Sequence, residues 1–267
     1  MKIDSTPTFA TLEEEYTPRY CRQLEAAYGE GMMSEGGIPA IETLFEGVDL
    51  IGKKALDVGC GLGGVVFYLA HTYGMTVTGL EVNPWMVTEA QQRVASHGGG
   101  VDFLLTTGNE HWPLGSGSFD IIYSKGVFTH IPDKNDLFRE CHRLLKDDGL
   151  FVINDWLSFD NGQWGPHIAR LVELEHLALY AETEQRYAEL LERNGFSVLA
   201  IVDQSGEYHR YNEEIVARLS DPELREQHLR CFSEAELAAA IEGYRAIVGA
   251  HETGELRVLR FLARKKP

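Results

Sequence analysis

Eight consecutive residues, Asp57-Val58-Gly59-Cys60-Gly61-Leu62-Gly63-Gly64, stand where a short apolar run gives way to a helical period, and their types suit the grip of a nucleoside cofactor. Glycines at such a turn let the main chain bend tightly and let a ligand approach it closely. Gly59, Gly61 and Gly64 satisfy the GxGxxG spacing of dinucleotide enzymes, so the glycines alone leave open a nicotinamide or flavin cofactor and S-adenosylmethionine. Asp57 favours the latter. A carboxylate there would face a diphosphate unfavourably in a partly dry site and would attract the cationic methionine end of a sulfonium. Read purely as structure, Asp57 would instead cap the loop by accepting backbone amides. Cys60 and Gly63 belong to the same turn and count among the candidate cofactor contacts.

Glu81 closes the next apolar run, in GLEVNP, where a carboxylate can accept both ribose hydroxyls. Val82 would then lie against adenine, and Pro84 opens a helix where its missing amide does no harm. After the third run come Gly108, Asn109 and Glu110. Asn109 can meet the adenine amino group with its carbonyl, although such residues after a strand are also ordinary turn formers.

The elements that must hold these residues read as an alternation. Strand-like runs at 54–59, 76–82, 101–107, 119–124 and 149–155 are separated by helical periods at 64–73, 84–97 and 137–145. That pattern predicts an α/β fold, Rossmann-like, with a seven-stranded, mostly parallel sheet and helices on both faces. The first fifty residues read as an amphipathic helical lid, 51–267 as the catalytic domain, and about 157–183 and 204–250 as a substrate cap. Regular periodicity lapses after Trp156 and resumes with a helix at 184–193, stopped by Gly195, and a strand at 197–203. Helices are expected through much of 213–250, and the closing run at 254–265 is expected to insert antiparallel beside its predecessor.

Composition narrows the partners. With 267 residues and a formal net charge of −17, the surface repels phosphate backbones, and the lone basic cluster, Arg264 to Lys266, reads as a solvated tail. Nucleic acid is not expected. No apolar run is long enough to cross a membrane, and the acidic first fifteen residues do not read as a leader, so a cytoplasmic location is expected. Cys21, Cys60, Cys141 and Cys231 lack paired spacing, and no histidine pair has ligand spacing. Reduced structural thiols and no metal are the expectation.

Taken together, ALDVGCGLGG, TVTGLEVNP, GSFDIIYSKGVFTHI and HRLLKDDGLFVINDW resemble the class I S-adenosylmethionine-dependent methyltransferases over residues 54–156. Tyr16-Thr17-Pro18, followed by the stretch from Tyr28 to Gly37, further resembles the lid of phosphoethanolamine N-methyltransferases, and more loosely the core is similar to N-methyltransferases acting on glycine derivatives. The resemblance implies that Tyr16, Met33, Ser34, Ser124, Lys125 and Gly126 help enclose the cofactor. It also implies that Tyr16 and His130 meet over it and assist loss of the substrate proton; His130 could otherwise be a plain turn residue. The chain departs from that family at Gly126, where an acid is expected, at Trp156, where a tyrosine is expected, and at Leu177 and Leu179, where an arginine and a tyrosine should grip phosphate. A less polar acceptor pocket built from Trp156, Trp164, His176 and Tyr180 is expected, unless these side chains are plain core. The expected activity is methylation of a small molecule at an amine nitrogen, with O- or C-methylation and a nicotinamide oxidoreductase as alternatives; the sequence is silent on oligomeric state.

Overall fold

A computed structural model describes residues 15–106, 111–159 and 162–266. Two helices open it, α1 (Pro18–Tyr28) and α2 (Gly37–Leu44). Then come β1 (Lys54–Val58), α3 (Gly64–Tyr73), β2 (Thr76–Glu81), α4 (Pro84–His97), β3 (Val101–Leu105) and β4 (Phe119–Lys125). A 3-10 turn at Phe128–His130 leads to α5 (Asn135–Leu144) and β5 (Leu145–Ser158). The remainder comprises α6 (Pro166–Glu175), α7 (Glu184–Arg193), β6 (Phe196–Asp203), α8 (Ser205–Leu219), α9 (Arg225–His228), α10 (Glu234–Glu252) and β7 (Leu256–Lys265).

The seven strands form one sheet in the order β3-β2-β1-β4-β5-β7-β6. Pairings are parallel from β3 through β5, and β7 lies antiparallel between β5 and β6. The chain winds outward in both directions from the β1–β4 boundary, and that reversal opens a crevice at the carboxyl ends of the strands. β1 is hydrogen-bonded on both edges and buried from Ala55 to Val58, as its near-continuous apolar run requires.

Helices cover both faces. On one, Phe138, Phe151, Phe196 and Tyr187 pack together, and Tyr187 stacks on Phe261 of β7 with ring centres 4.6 Å apart. On the other, Phe45, Phe67, Phe103 and Tyr123 fill the space under α2, α3 and α4. A third cluster joins α6, α8 and α10 through Leu171, Ile215, Leu219 and Ile247, and Ala27 of α1 is buried in it. The opening helix therefore rests on the same apolar layer as the late helices.

Three elements differ from the sequence reading. β5 runs from Leu145 to Ser158 rather than 149–155, because β7 pairs with it from Leu150 to Ser158. α6 forms inside the stretch where periodicity lapsed, and α8 starts at Ser205 rather than near 213. Both bury apolar faces against α10, a tertiary gain that local pattern does not report.

Candidate active site

The crevice between β1, β2 and β4 holds a cavity of about 890 Å³ including its open mouth. Gly59 and Gly61 form one wall at φ 81° and 54°. A Cβ would come within 2.6 Å of Val127 at Gly59 and 2.8 Å of Met33 at Gly61, so side chains other than hydrogen are excluded on two counts. Val82, Met86, Trp112, Ile131 and Leu137 supply an apolar slot deeper in.

Glu81 is the acid that faces this space, at 9% exposure. Its Oε2 accepts the Gly61 N–H (2.9 Å) and its Oε1 accepts those of Val82 (2.8 Å) and Asn83 (3.0 Å). Two oxygens offer about four acceptor directions, so capacity remains for a ligand hydroxyl. Burial raises its pKa, and the three amides oppose the rise. Asn83 caps α4 through Oδ1 and donates from Nδ2 to the Tyr16 carbonyl (3.0 Å), tying the lid to the same loop.

Asp57 is buried to 3% exposure beside the Tyr123 hydroxyl, its partner across β1 and β4, just behind the cavity lining and within electrostatic reach of Glu81 and Lys125. Burial pushes its pKa up to about 8, with Tyr123 and Lys125 pulling the other way. Cys60, Gly63 and Ser124 also stand behind the wall, where Ser124 donates to the Val58 carbonyl (2.9 Å) and Gly63 packs against Phe103. Tyr16, Met33, Ser34, Gly59, Gly61, Glu81, Val82, Lys125, Gly126 and His130 do line it. Asn109 and Glu110 fall outside the described residues.

The N-terminal segment is fastened to the core through side chains and main chain alike. Glu25 of α1 accepts from Arg93 of α4 (2.7 and 3.2 Å) and from the Gly31 N–H (2.7 Å). Gly31 in turn accepts the Gly64 N–H (3.1 Å), and a Cβ on Gly64 would lie 2.7 Å from that carbonyl. The backbone at Gly31 thus covers the start of α3, the place where a dinucleotide fold would hold a pyrophosphate.

Between lid and sheet, Tyr16 Oη and His130 Nε2 are 3.2 Å apart, and His130 Nδ1 is 3.2 Å from the Ala178 carbonyl. A carbonyl only accepts, so Nδ1 carries the proton and the Tyr16 hydroxyl donates to Nε2. Burial pushes His130 down to about 4 and drives the Tyr16 phenol well above its ordinary value. The imidazole is therefore neutral. Lys125 Nζ donates to Ser34 Oγ (2.7 Å) and to the Glu35 carbonyl (2.8 Å), and burial lowers it to about 8.

On the far side of this pair lies a second cavity of about 530 Å³, which shares Tyr16, Met33, Ser34, Gly126 and His130 with the first. Trp156, Leu177 and Leu179 line it, as do Tyr20, Tyr28, Glu35, Thr129 and Glu175, which sequence reasoning did not single out. Among the other expected acceptor residues, Trp164 donates from its indole to the Leu179 carbonyl (3.0 Å) from behind the wall, Tyr180 stands outside with its amide bonded to the Thr129 carbonyl, and His176 lines a neighbouring vestibule. No signal in spacing would have found Glu35 or Glu175, since an acid on a helix or helix-flanking turn reads as a solvated surface residue. Among the described residues no three His, Cys, Asp or Glu side chains gather as a metal ion would need, and no helix is long and apolar enough to cross a membrane.

This geometry, a doubly wound sheet with a glycine turn and an acid at the end of β2, is that of a class I S-adenosylmethionine-dependent methyltransferase. Residues 56–153 match the methyltransferase domain family. The chain therefore shares its domain and its fold with that class. Within it the chain is 30% identical over 244 residues to phosphoethanolamine N-methyltransferase 1 of Triticum aestivum, covering 90% of this chain and 47% of the relative. It is 26% identical to the phosphoethanolamine N-methyltransferase of Plasmodium falciparum, covering 91% of this chain and 90% of that one. A solved Haemonchus contortus phosphoethanolamine N-methyltransferase 2, bound to phosphomonomethylethanolamine and S-adenosylhomocysteine, shares the fold with a TM-score of 0.84 at 22% identity, over 95% of this chain and 58% of that one. The chain spans about half the length of the wheat relative.

Proposed function

We propose that the chain transfers the methyl group of S-adenosylmethionine to a small-molecule amine nitrogen, and that phosphoethanolamine is not the acceptor. The observation that carries this reading is the Tyr16–His130 hydrogen bond at the boundary of two cavities, one sized and lined for the cofactor and one for an acceptor. Glu81 would hold the ribose, the slot of Val82, Met86 and Trp112 the adenine, and the Gly59–Gly61 turn with Ser34 and Lys125 the methionine end. When bound, the cofactor supplies an electrophilic methyl on a sulfonium.

What the chain adds is alignment and exclusion of water. The Ala178 carbonyl fixes the imidazole, the imidazole holds the Tyr16 hydroxyl proton, and the Tyr16 oxygen is left with lone pairs toward the acceptor side. That oxygen can accept a hydrogen bond from the neutral amine and orient its lone pair; as the N–C bond forms the S–C bond breaks, and the positive charge passes from sulfur to nitrogen. A His130 pKa near 4 makes it an orienting group rather than a store for the proton. Phosphate is a poor fit, because Leu177 and Leu179 occupy the acceptor wall and no Lys or Arg lines that cavity among the described residues. Incubation with methyl-labelled S-adenosylmethionine and a mixed panel of small amines, hydroxy acids and phenols, read by mass spectrometry, is expected to place label on nitrogen. Label on oxygen or carbon alone, or efficient methylation of phosphoethanolamine, would refute the reading.

A further inference from the structure

The acceptor cavity shares Tyr20, Leu24 and Glu175 with a wide vestibule bounded by α1, α6 and α10, about 1160 Å³ including its open mouth. Four carboxylates face these two spaces: Glu35 and Glu175 inside, Glu15 and Glu236 in the vestibule, with Glu175 common to both. No Lys or Arg lines either space among the described residues. Glu236 is committed, since Arg19 grips both its oxygens at 2.6 Å. Glu35 has the Lys125 ammonium nearby, bonded to its own carbonyl, whereas no Lys or Arg side chain grips Glu15 or Glu175 among the described residues. Glu175 accepts only the Tyr20 phenol proton (2.7 Å) among the hydrogen bonds seen, and Glu15 Oε2 is buried with no hydrogen-bond partner among the described residues.

A separate observation points to a ligand. Thr129, 3% exposed, lines the acceptor cavity with its Oγ1 unpartnered among the described residues. A buried hydroxyl without a partner costs free energy that a polar ligand atom would recover. Beside it stand the rings of Tyr20, Tyr28 and Trp156, surfaces that attract a cation and gain nothing from an anion. A phosphate or carboxylate brought here above about pH 7, where Glu15 and Glu175 ionise, would meet like charge at low dielectric.

We propose that the acceptor is an organic amine carrying neither phosphate nor carboxylate, and that it is gathered through the vestibule by Glu15 and Glu175 and seated against Tyr20, Tyr28 and Thr129. This deepens the methyl-transfer reading above and rests on it. It narrows the class further than loss of a phosphate grip does, because amino acids are excluded together with phosphoamines.

Three matched pairs test it with the full chain and labelled methyl donor: ethanolamine against phosphoethanolamine, cadaverine against lysine, and benzylamine against 4-(aminomethyl)benzoate. The amine without the acid is expected to show a kcat/KM at least about tenfold higher in each pair, and Glu175→Gln is expected to raise its KM by about tenfold while leaving the calorimetric Kd for S-adenosylhomocysteine unchanged. Glu15→Gln, at the vestibule, gives a smaller rise of the same sign. Preference for the acid-bearing partner, an unaltered KM in both variants, or label on none of the six compounds while S-adenosylhomocysteine still binds would overturn the proposal. Absence of S-adenosylhomocysteine binding by the unaltered chain would instead bring down the methyl-transfer reading beneath it.

Discussion

The two halves of the site are built by different means. The half proposed for the cofactor leans on main chain: turns after β1 and β2 aim amides at Glu81, and glycines keep one wall thin. The acceptor half is side chain, drawn from the lid, the turn after β4, β5 and α6. A backbone wall binds what every member of a class shares, whereas a wall of separable side chains can be rebuilt without disturbing the fold.

Four experiments break or sharpen that division. The largest effect is expected from Glu81→Ala, which removes the ribose acceptor and leaves the Gly61, Val82 and Asn83 amides unpaired. Calorimetry should show S-adenosylhomocysteine affinity reduced by roughly two orders of magnitude, and an undiminished affinity would mean the cofactor lies elsewhere. Next comes His130→Ala. The Kd for S-adenosylhomocysteine should hold while kcat falls by about a hundredfold, the scale expected when a reactant loses its alignment. Because burial keeps His130 near 4, kcat at saturating acceptor should show no break at the ordinary histidine value of about 6.5; a break there would show that the imidazole titrates in the working enzyme.

Glu175 tests the acceptor half through stability. Burial raises its carboxyl from 4.5 to about 7, with Glu35 adding to the rise and the Tyr20 phenol opposing it. The folded state then binds the proton more tightly than the unfolded chain, so stability is fullest below 4.5 and declines as pH climbs through about 7. Glu175→Gln escapes that decline and should melt a few degrees higher at about pH 8, with the gain vanishing near pH 5. A variant that melts lower at both values would identify Glu175 as a structural acid. The smallest effect is expected at the clasp, where Glu25→Gln weakens the pairing to Arg93. Release of S-adenosylhomocysteine should quicken about threefold in stopped flow, roughly what loss of a partly exposed ion pair allows.

The same division explains what the sequence could say. Gly59, Gly61, Glu81, Val82, Tyr16 and His130 were legible because each belongs to a short contiguous motif, and the sheet because its strands alternate with helices. Glu35, Glu175, Tyr20 and Thr129 were not, since they meet only after distant segments pack. Asp57 was legible as a residue but not in its surroundings: whether a carboxylate at the end of β1 faces the crevice or Tyr123 depends on pairing with β4. α6 was missed because Pro166–Glu175 is held by Leu171 and Ile168 within the late-helix layer, a contact that local periodicity does not report. Trp164 was read as pocket and serves from behind, fixing the Leu179 carbonyl.

The meeting of Gly31 and Gly64 has a consequence for how the chamber operates. Two strips of bare peptide touch there, with the Met32 sulfur and the Arg93 guanidinium alongside. Any opening at this point has to part the two backbones themselves. A single added methyl group, as in Gly64→Ala, would hold the chamber ajar and admit water to a reaction that depends on dryness.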